Sequence, residues 1–554
     1  MDRKIGVYVC ECGPNIAEAM DIDRIIEAVS GMENVAFVDK YKLLCSPDGK
    51  KYLAEQIKEH EFTHLVVGAC SPKQHEATFM NICKEAGMNP FLMQMANLRE
   101  QIAWITPDKE KATERAIRHM KAAIRRVRYH VPLEQKEIEC NADVLVIGGG
   151  IAGMSAALQL SSPSRKVFLV EKNAELGGMV SRYDKIFPDM VKGSEITESC
   201  AKSLKEDENV EVMTDTAVEN ILGFFGNFVV TVREKESDPR EFKVGAVVVA
   251  TGADLFDPGV LAEYGYGKIK NVVTATEFEE MNLKGNITLE NGKEPKSVGI
   301  IHCVGRKEKA YCSEVCCRVG MKISRYLKEK IPDASVTQFY QDLCIPGSGV
   351  QAFYEETRNA GVEFICTEKV KLSESDKNIQ IDHDGKVNTA DMVVLLPAIE
   401  PAEDTLKISE MLGIEKGKGG FLMEEHEKIG PVTTTVEGVC LAGNVSGPKT
   451  IRDTVSQSGA VAGKILSSLI PGRKLETEAR TSKISENLCT GCRTCLTVCC
   501  YSAIDYDESR GICVVNEVLC KGCGNCAAAC PSGAATHQQF TQIQVYREMM
   551  EVLR

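Results

Sequence analysis

The chain has 554 residues, 44% hydrophobic and 26% charged, with a net charge of −13 and 24 cysteines. Its length allows three or four domains, and its acidic balance argues against nucleic acid or an anionic membrane as a partner. No apolar run approaches the roughly 18 to 20 residues needed to span a bilayer, and the start, MDRKIGVYVCEC, lacks the plan of a signal peptide. A cytoplasmic location is therefore expected. There, clustered cysteines point to metal or redox chemistry rather than to disulfides.

Residues 1–135 alternate apolar runs (IGVYVCEC, NVAFVDKYKLLC, THLVVGACSP) with helical stretches, which predicts a small parallel sheet covered by helices. Cys10, Cys12, Cys45 and Cys70 fall at or just beyond the C-terminal ends of its strands. In an open parallel sheet those ends converge on one crevice. Spacing alone leaves two readings, a metal cluster or free core thiols.

A second α/β unit, 141–290, opens with DVLVIGGGIAGMSAA. Gly148, Gly150 and Gly153 form G-x-G-x-x-G between a strand and a helix of small residues, the arrangement that closes backbone on a pyrophosphate. KVFLVEK ends on Glu171 and Lys172, with Glu171 23 residues after Gly148, where a carboxylate meets ribose hydroxyls. Gly177 and Gly178 of LGGM, Val218, Thr251 and Gly252 of VVVATGA, and Gly443, Asn444 and Lys449 of CLAGNVSGPKT complete the candidate cofactor-binding set. A third unit, 291–400, is inserted before the second resumes over 401–470. After SVGII, HCVGRKEKAYC keeps only Gly305 of a glycine motif. Nicotinamide hydride delivery is not expected here. Instead Cys303, Cys312, Cys316 and Cys317 offer four soft thiolates, suited to an iron–sulfur cluster or zinc. A vicinal Cys316–Cys317 disulfide is the other reading. His302 is left out because on a strand it points away from Cys303.

A polar linker, 471–483, leads to a Cys-rich module at 484–554. CTGCRTCLTVC (489–499) and CKGCGNCAAACP (520–531) each read C-x2-C-x2-C-x3-C, the spacing of two-cluster ferredoxins. The fourth cysteine of each run reaches the other cluster. Cys489, Cys492, Cys495 and Cys530 then hold one [4Fe–4S] cluster, and Cys520, Cys523, Cys526 and Cys499 the other. Cys500, where proline usually follows the first run, is read as a buried spare thiol. Cys83, Cys140, Cys344, Cys366, Cys440 and Cys513 are read as buried or spare. The tail predicts an amphipathic helix with Ile543, Tyr546, Met550 and Leu553 on one face, either docked on its own domain or offered to a partner.

The glycine fingerprint, LGGM, ATGA and AGN segments resemble the two-dinucleotide-fold flavoproteins of the thioredoxin reductase group, which implies FAD in the second unit. Asn444 stands where that group has aspartate. Together with GVYVCECGPNIAEAMD, VVGACSPKQHEATF, NPFLMQMANLREQIAWI, the four inserted cysteines and the ferredoxin module, nearly the whole chain resembles the A subunit of heterodisulfide reductase. The fold implied is α/β: a thioredoxin-reductase-like flavoprotein core, an N-terminal α/β domain, and a C-terminal α+β domain with two [4Fe–4S] clusters. The resemblance also favours a cluster on the N-terminal cysteines, giving FAD and four [4Fe–4S] clusters in all.

It further implies an electron-transfer hub, a homodimer within a larger complex. Its partners would be B and C subunits, ferredoxin, and a hydrogenase-, formate- or F420-linked donor, with flavin-based bifurcation or confurcation. Longer family members carry a second ferredoxin module after the LGG segment. Here 180–240 holds only Cys200, which puts bifurcation in question. Two alternatives stay open: an NAD(P)H-dependent reductase feeding its own ferredoxin module, and a non-bifurcating, quinone-linked relay. The catalytic residues and the terminal donor and acceptor are not legible.

Overall fold

The computed structural model describes residues 3–375 and 378–553, and the chain divides into two units, Met1–Ile138 with Glu476–Arg554 and Glu139–Leu475. In the first unit β1 (Ile5–Cys10) is buried along its whole length, as its valine- and isoleucine-rich sequence dictates. It pairs in parallel with β2 (Val35–Tyr41) and β3 (His64–Ala69), and β4 (Met93–Asn97) completes the order β2-β1-β3-β4. Ile5, Val7 and Val9 pack on one face with Met120 and Ile124 of α1 (Lys109–Val127). Tyr8 and Cys10 pack on the other with Leu53 and Phe79. Helix α1 is capped by Asp108, which accepts from the Lys111 amide at 2.8 Å, and ends on Arg125 and Arg126, favourable at the negative end of its dipole.

The 1–135 and 484–554 segments, expected as separate domains, fold as one unit. The C-terminal helix Gln542–Val552 lies on α1 by its polar face. Glu548 pairs with Arg126, Glu551 with Arg125 at 2.7 Å, and Gln544 donates to the Tyr129 carbonyl at 2.9 Å. Ile543, Tyr546, Met550 and Leu553 stay exposed. So the helix is docked, but through the face opposite to the apolar one.

In the second unit β5 (Val144–Ile147) leads into α2 (Ile151–Leu160), followed by β6 (Val167–Val170), β7 (Val210–Met213) and β8 (Ala246–Val249). The parallel sheet runs β7-β6-β5-β8 and takes Val439–Leu441 as its last strand, which closes the interrupted domain. Residues 216–244 form an antiparallel three-stranded sheet, which follows helix Gly193–Glu206 and strand β7. Strand β9 (Ala253–Leu255) pairs antiparallel with Ile399–Pro401 where the chain leaves and re-enters the first domain.

The inserted domain contains β10 (Val272–Thr274), β11 (Ser297–Val304), α3 (Cys316–Lys330), β12 (Ser335–Tyr340), β13 (Val362–Cys366) and β14 (Met392–Pro397). Its parallel sheet is ordered β10-β14-β11-β12-β13. The insertion therefore begins before residue 291: β10 pairs with β14, and Phe278 enters the same core. A three-residue strand carries too little periodicity to be seen in sequence.

Candidate cofactor sites

A cavity of about 1400 Å³ opens at the C-terminal ends of β5 and β6, the position at which open α/β sheets bind ligands. Gly148 has φ +106, and a Cβ there would lie 2.3 Å from the Ala250 carbonyl oxygen. A Cβ on Gly153 would lie 1.8 Å from the Gly148 carbonyl oxygen, so glycine lets α2 sit close against the loop. Space above Gly150 is open, as a pyrophosphate requires.

Glu171, 7% exposed, accepts from the Gly149 amide at 2.6 Å and the Asn173 amide at 2.8 Å, tying the end of β6 to the glycine loop. Gly148, Gly150, Glu171, Lys172, Gly177, Gly178, Val218, Thr251, Gly252, Asn444 and Lys449 all line the cavity. Gly153 and Gly443 do not; each allows close backbone packing instead, Gly443 against Ala152. Burial lowers the Lys449 pKa, and its ammonium reaches the Ser446 hydroxyl and Gly447 carbonyl at 3.1 Å. Among the described residues the Thr251 hydroxyl, buried on the cavity wall, has no hydrogen-bond partner. An open glycine cradle, an unpaired hydroxyl and a carboxylate at the strand end fit FAD.

Sequence reasoning missed Lys322, on the wall of this cavity and 3% exposed. Its ammonium pairs with buried Glu279 at 2.6 Å, donates to the Lys185 carbonyl at 3.0 Å and lies 4.5 Å from the Tyr183 ring centre. Burial pulls its pKa down, opposed by Glu279. Removing either partner would strand a buried charge at a cost of about 3–5 kcal/mol. A lysine on a helix reads as surface, so no sequence signal marked it.

The inserted cysteines gather beside the same cavity. Strand β11 shifts register between Ile301 and Val304, and Cys303 takes φ +60. Cys316 and Cys317 begin α3, while Val315, Arg318 and Val319 of the same turn line the flavin cavity. Cys303, Cys316 and Cys317 are buried and Cys312 is half-buried; none is disulfide-bonded. Burial, and then the neighbouring thiols led by Cys303, push Cys316 up to about 12; Cys317 rises to about 11, again chiefly from burial. The Arg306 guanidinium approaches Cys303 at 4.0 Å and pairs with Asp342 at 2.8 Å. His302 faces Gln338 at 2.8 Å, and burial lowers its pKa to about 4. Gly305 has φ +87, and a Cβ there would meet the Phe256 ring at 2.5 Å, so glycine lets this ring pack against the end of β11.

In the first unit Cys10, Cys12, Cys45 and Cys70 come together at the C-terminal edge of the β2-β1-β3-β4 sheet. Burial raises the pKa of Cys10, and it raises Cys70 to about 11 against the opposing Arg99. The Arg99 guanidinium lies 3.3 Å from the Cys12 sulfur. In the Cys-rich module Cys489, Cys492, Cys495 and Cys530 line one small cavity and Cys499, Cys520, Cys523 and Cys526 another. Backbone amides point at their sulfurs: Ala503 at Cys499, Ser482 at Cys520 and Ala535 at Cys530, at 3.3–3.4 Å.

Among the described residues no three His, Cys, Asp or Glu side chains close on a single-ion position. Cubane ligands surround a body rather than a point, and the thiol-only sets, with amides and guanidinium groups turned toward them, suit an anionic cluster. Cys500, read as a buried thiol, is exposed and neighbours Cys523. Cys513 is buried and Cys366 exposed, and Cys344 and Cys513 stand against candidate cluster cysteines.

Residues 142–460 match the pyridine nucleotide-disulphide oxidoreductase family and 488–534 the 4Fe-4S dicluster domain. Thioredoxin reductase of T. acidophilum superposes on 60% of this chain and 100% of its own, at 18% identity and TM-score 0.44. An iron–sulfur A subunit of the CoB–CoM heterodisulfide reductase of Methanopyrus kandleri is 34% identical, with 92% of this chain and 91% of that protein covered. The A subunit of the H2:CoB-CoM heterodisulfide,ferredoxin reductase of Methanothermobacter thermautotrophicus is 33% identical with the same coverage. A protein of Archaeoglobus profundus that is like the heterodisulfide reductase A subunit is 30% identical over 92% of both chains. With a pyridine nucleotide-disulphide oxidoreductase core and a 4Fe-4S dicluster module, the chain belongs to the family of heterodisulfide reductase A subunits, as an electron-transferring iron–sulfur flavoprotein oxidoreductase.

Proposed function

We propose that this chain is the flavin hub of a heterodisulfide-reductase-like complex. It takes electrons from a partner donor through iron–sulfur clusters to FAD and passes them to ferredoxin and a disulfide-reducing partner. Four [4Fe–4S] clusters serve this path. Cys10, Cys12, Cys45 and Cys70 hold the first, and Cys303, Cys312, Cys316 and Cys317 the second. The ferredoxin module holds the other two in the crossed grouping. B and C subunits, a hydrogenase-, formate- or F420-linked donor and a second copy of the chain are the partners this reading needs.

The observation that carries it is the first turn of α3, which presents Val315, Arg318 and Val319 to the flavin cavity and Cys316 and Cys317 to the thiol cluster. A hydride donor's place has become an electron terminal. Bound FAD and clusters would supply two-electron and one-electron exchange respectively. The protein's part is to hold them, with Arg99 and Arg306 turned toward cluster thiolates. Bifurcation requires two exits from the flavin. With only Cys200 in 180–240, the second exit comes from a partner or a paired copy.

The test is an anaerobic titration of the purified chain followed by flavin absorbance. Reduced ferredoxin, or the co-purified donor, bleaches the flavin, whereas NADH and NADPH leave it oxidised. Bleaching by either nicotinamide would favour a self-sufficient nicotinamide-dependent reductase.

A further inference from the structure

Two cysteines outside the ligand sets occupy equivalent places. The Cys344 amide donates to the Cys317 sulfur at 3.4 Å, and the Cys344 thiol stands beside that of Cys312. The Cys513 amide donates to the Cys489 sulfur at 3.5 Å, and its thiol, 2% exposed, packs in the same cluster as that of Cys495. Cys513 also lines the cavity of its four neighbours. Each therefore meets two cysteines of one set, one through its amide and one through its thiol. Both come from a different segment: Cys513 from strand Ile512–Val515, and Cys344 from the loop after β12.

A cubane with four cysteine ligands leaves a fifth thiol no iron to bind. An iron-bound thiolate keeps negative charge and lone pairs, so the remaining S–H donates toward it. Such hydrogen bonds stabilise the reduced, more negative cluster and raise its reduction potential. We propose that Cys344 and Cys513 are positioning residues, non-ligating thiols that raise the reduction potentials of the inserted-domain cluster and of one ferredoxin-module cluster. The Cys344 half rests on the cluster reading above. The Cys513 half rests on the ferredoxin module alone.

The test uses the full chain, purified anaerobically, as Cys344→Ala, Cys344→Ser, Cys513→Ala and Cys513→Ser. Iron and FAD per chain are measured, and each cluster is titrated potentiometrically with spin-resonance detection. All four variants keep wild-type iron and FAD. Each alanine shifts only its own cluster to a more negative potential, and each serine, whose hydroxyl still donates, shifts it less. Loss of about four iron atoms from either alanine variant would make that cysteine a ligand and overturn the proposal. So would an unmoved potential. If Cys316→Ser leaves iron unchanged, the inserted-domain cluster itself fails and takes the Cys344 half with it; the Cys513 half is then decided by its own titration.

Discussion

Replacing Cys316 by serine removes one cluster, about four iron atoms per chain, and leaves FAD bound. A serine oxygen fits the space of the sulfur but is a poorer ligand for soft iron. Cys316 is 7% exposed at the start of α3, and the exchange removes no large side chain from the core. The glycine loop and Glu171 lie on other elements of the unit, so flavin retention is unaffected. Flavin reduction by the physiological donor is expected to be abolished, because on the proposed path the inserted cluster is the step between donor and flavin. The clusters of the ferredoxin module stay reducible by dithionite. Iron per flavin and the rate of flavin reduction, in wild type and variant, measure the effect. Unchanged iron would mean that Cys303, Cys312, Cys316 and Cys317 hold zinc or nothing, and the wire through α3 would be lost.

Glu171→Ala sheds FAD and keeps its iron. The carboxylate satisfies the Gly149 amide at 2.6 Å and both Asn173 donors, at 2.8 and 2.7 Å, while nearly buried. Alanine leaves buried N–H groups unpaired, each costing about 1–3 kcal/mol. It also frees the loop that must close on the pyrophosphate and removes the ribose acceptor. At about 1.4 kcal/mol per tenfold, FAD binding weakens by about 10- to 100-fold. Flavin per chain after dilution and gel filtration checks this, with iron as the control for folding. Stoichiometric FAD after that treatment would remove Glu171 from the site.

What the sequence disclosed depended on how locally each site is built. The C-x2-C-x2-C-x3-C runs place three thiols on one tight loop, so spacing predicts a cluster. The structure groups Cys530 with the first loop and Cys499 with the second. The glycine fingerprint is likewise a single strand–turn–helix. Cys10, Cys12, Cys45 and Cys70 converge only through the order of a four-stranded sheet, which residue spacing does not encode.

Other features were hidden for physical reasons. The bulge that turns Cys303 toward its neighbours is a backbone event with φ +60. Cys344 and Cys513 look like stray thiols until β12 and the Ile512–Val515 strand bring them to ligands of other segments. Lys322 and Glu279 look like surface charges, yet packing encloses them as a pair. The tail helix was visible, but its docking through Gln544, Glu548 and Glu551 rather than its apolar face reflects complementary charges on α1.

The central claim is that four thiol sets of this chain carry clusters and one site carries flavin. Iron and flavin analysis of the anaerobically purified full chain tests it most directly, with spin-resonance spectra of the reduced protein. The account predicts about 16 iron atoms per FAD, four for each cubane, with signals beyond those of a two-cluster ferredoxin. About 8 iron atoms per chain, with ferredoxin-type signals alone, would contradict it and leave the N-terminal and inserted cysteines without clusters.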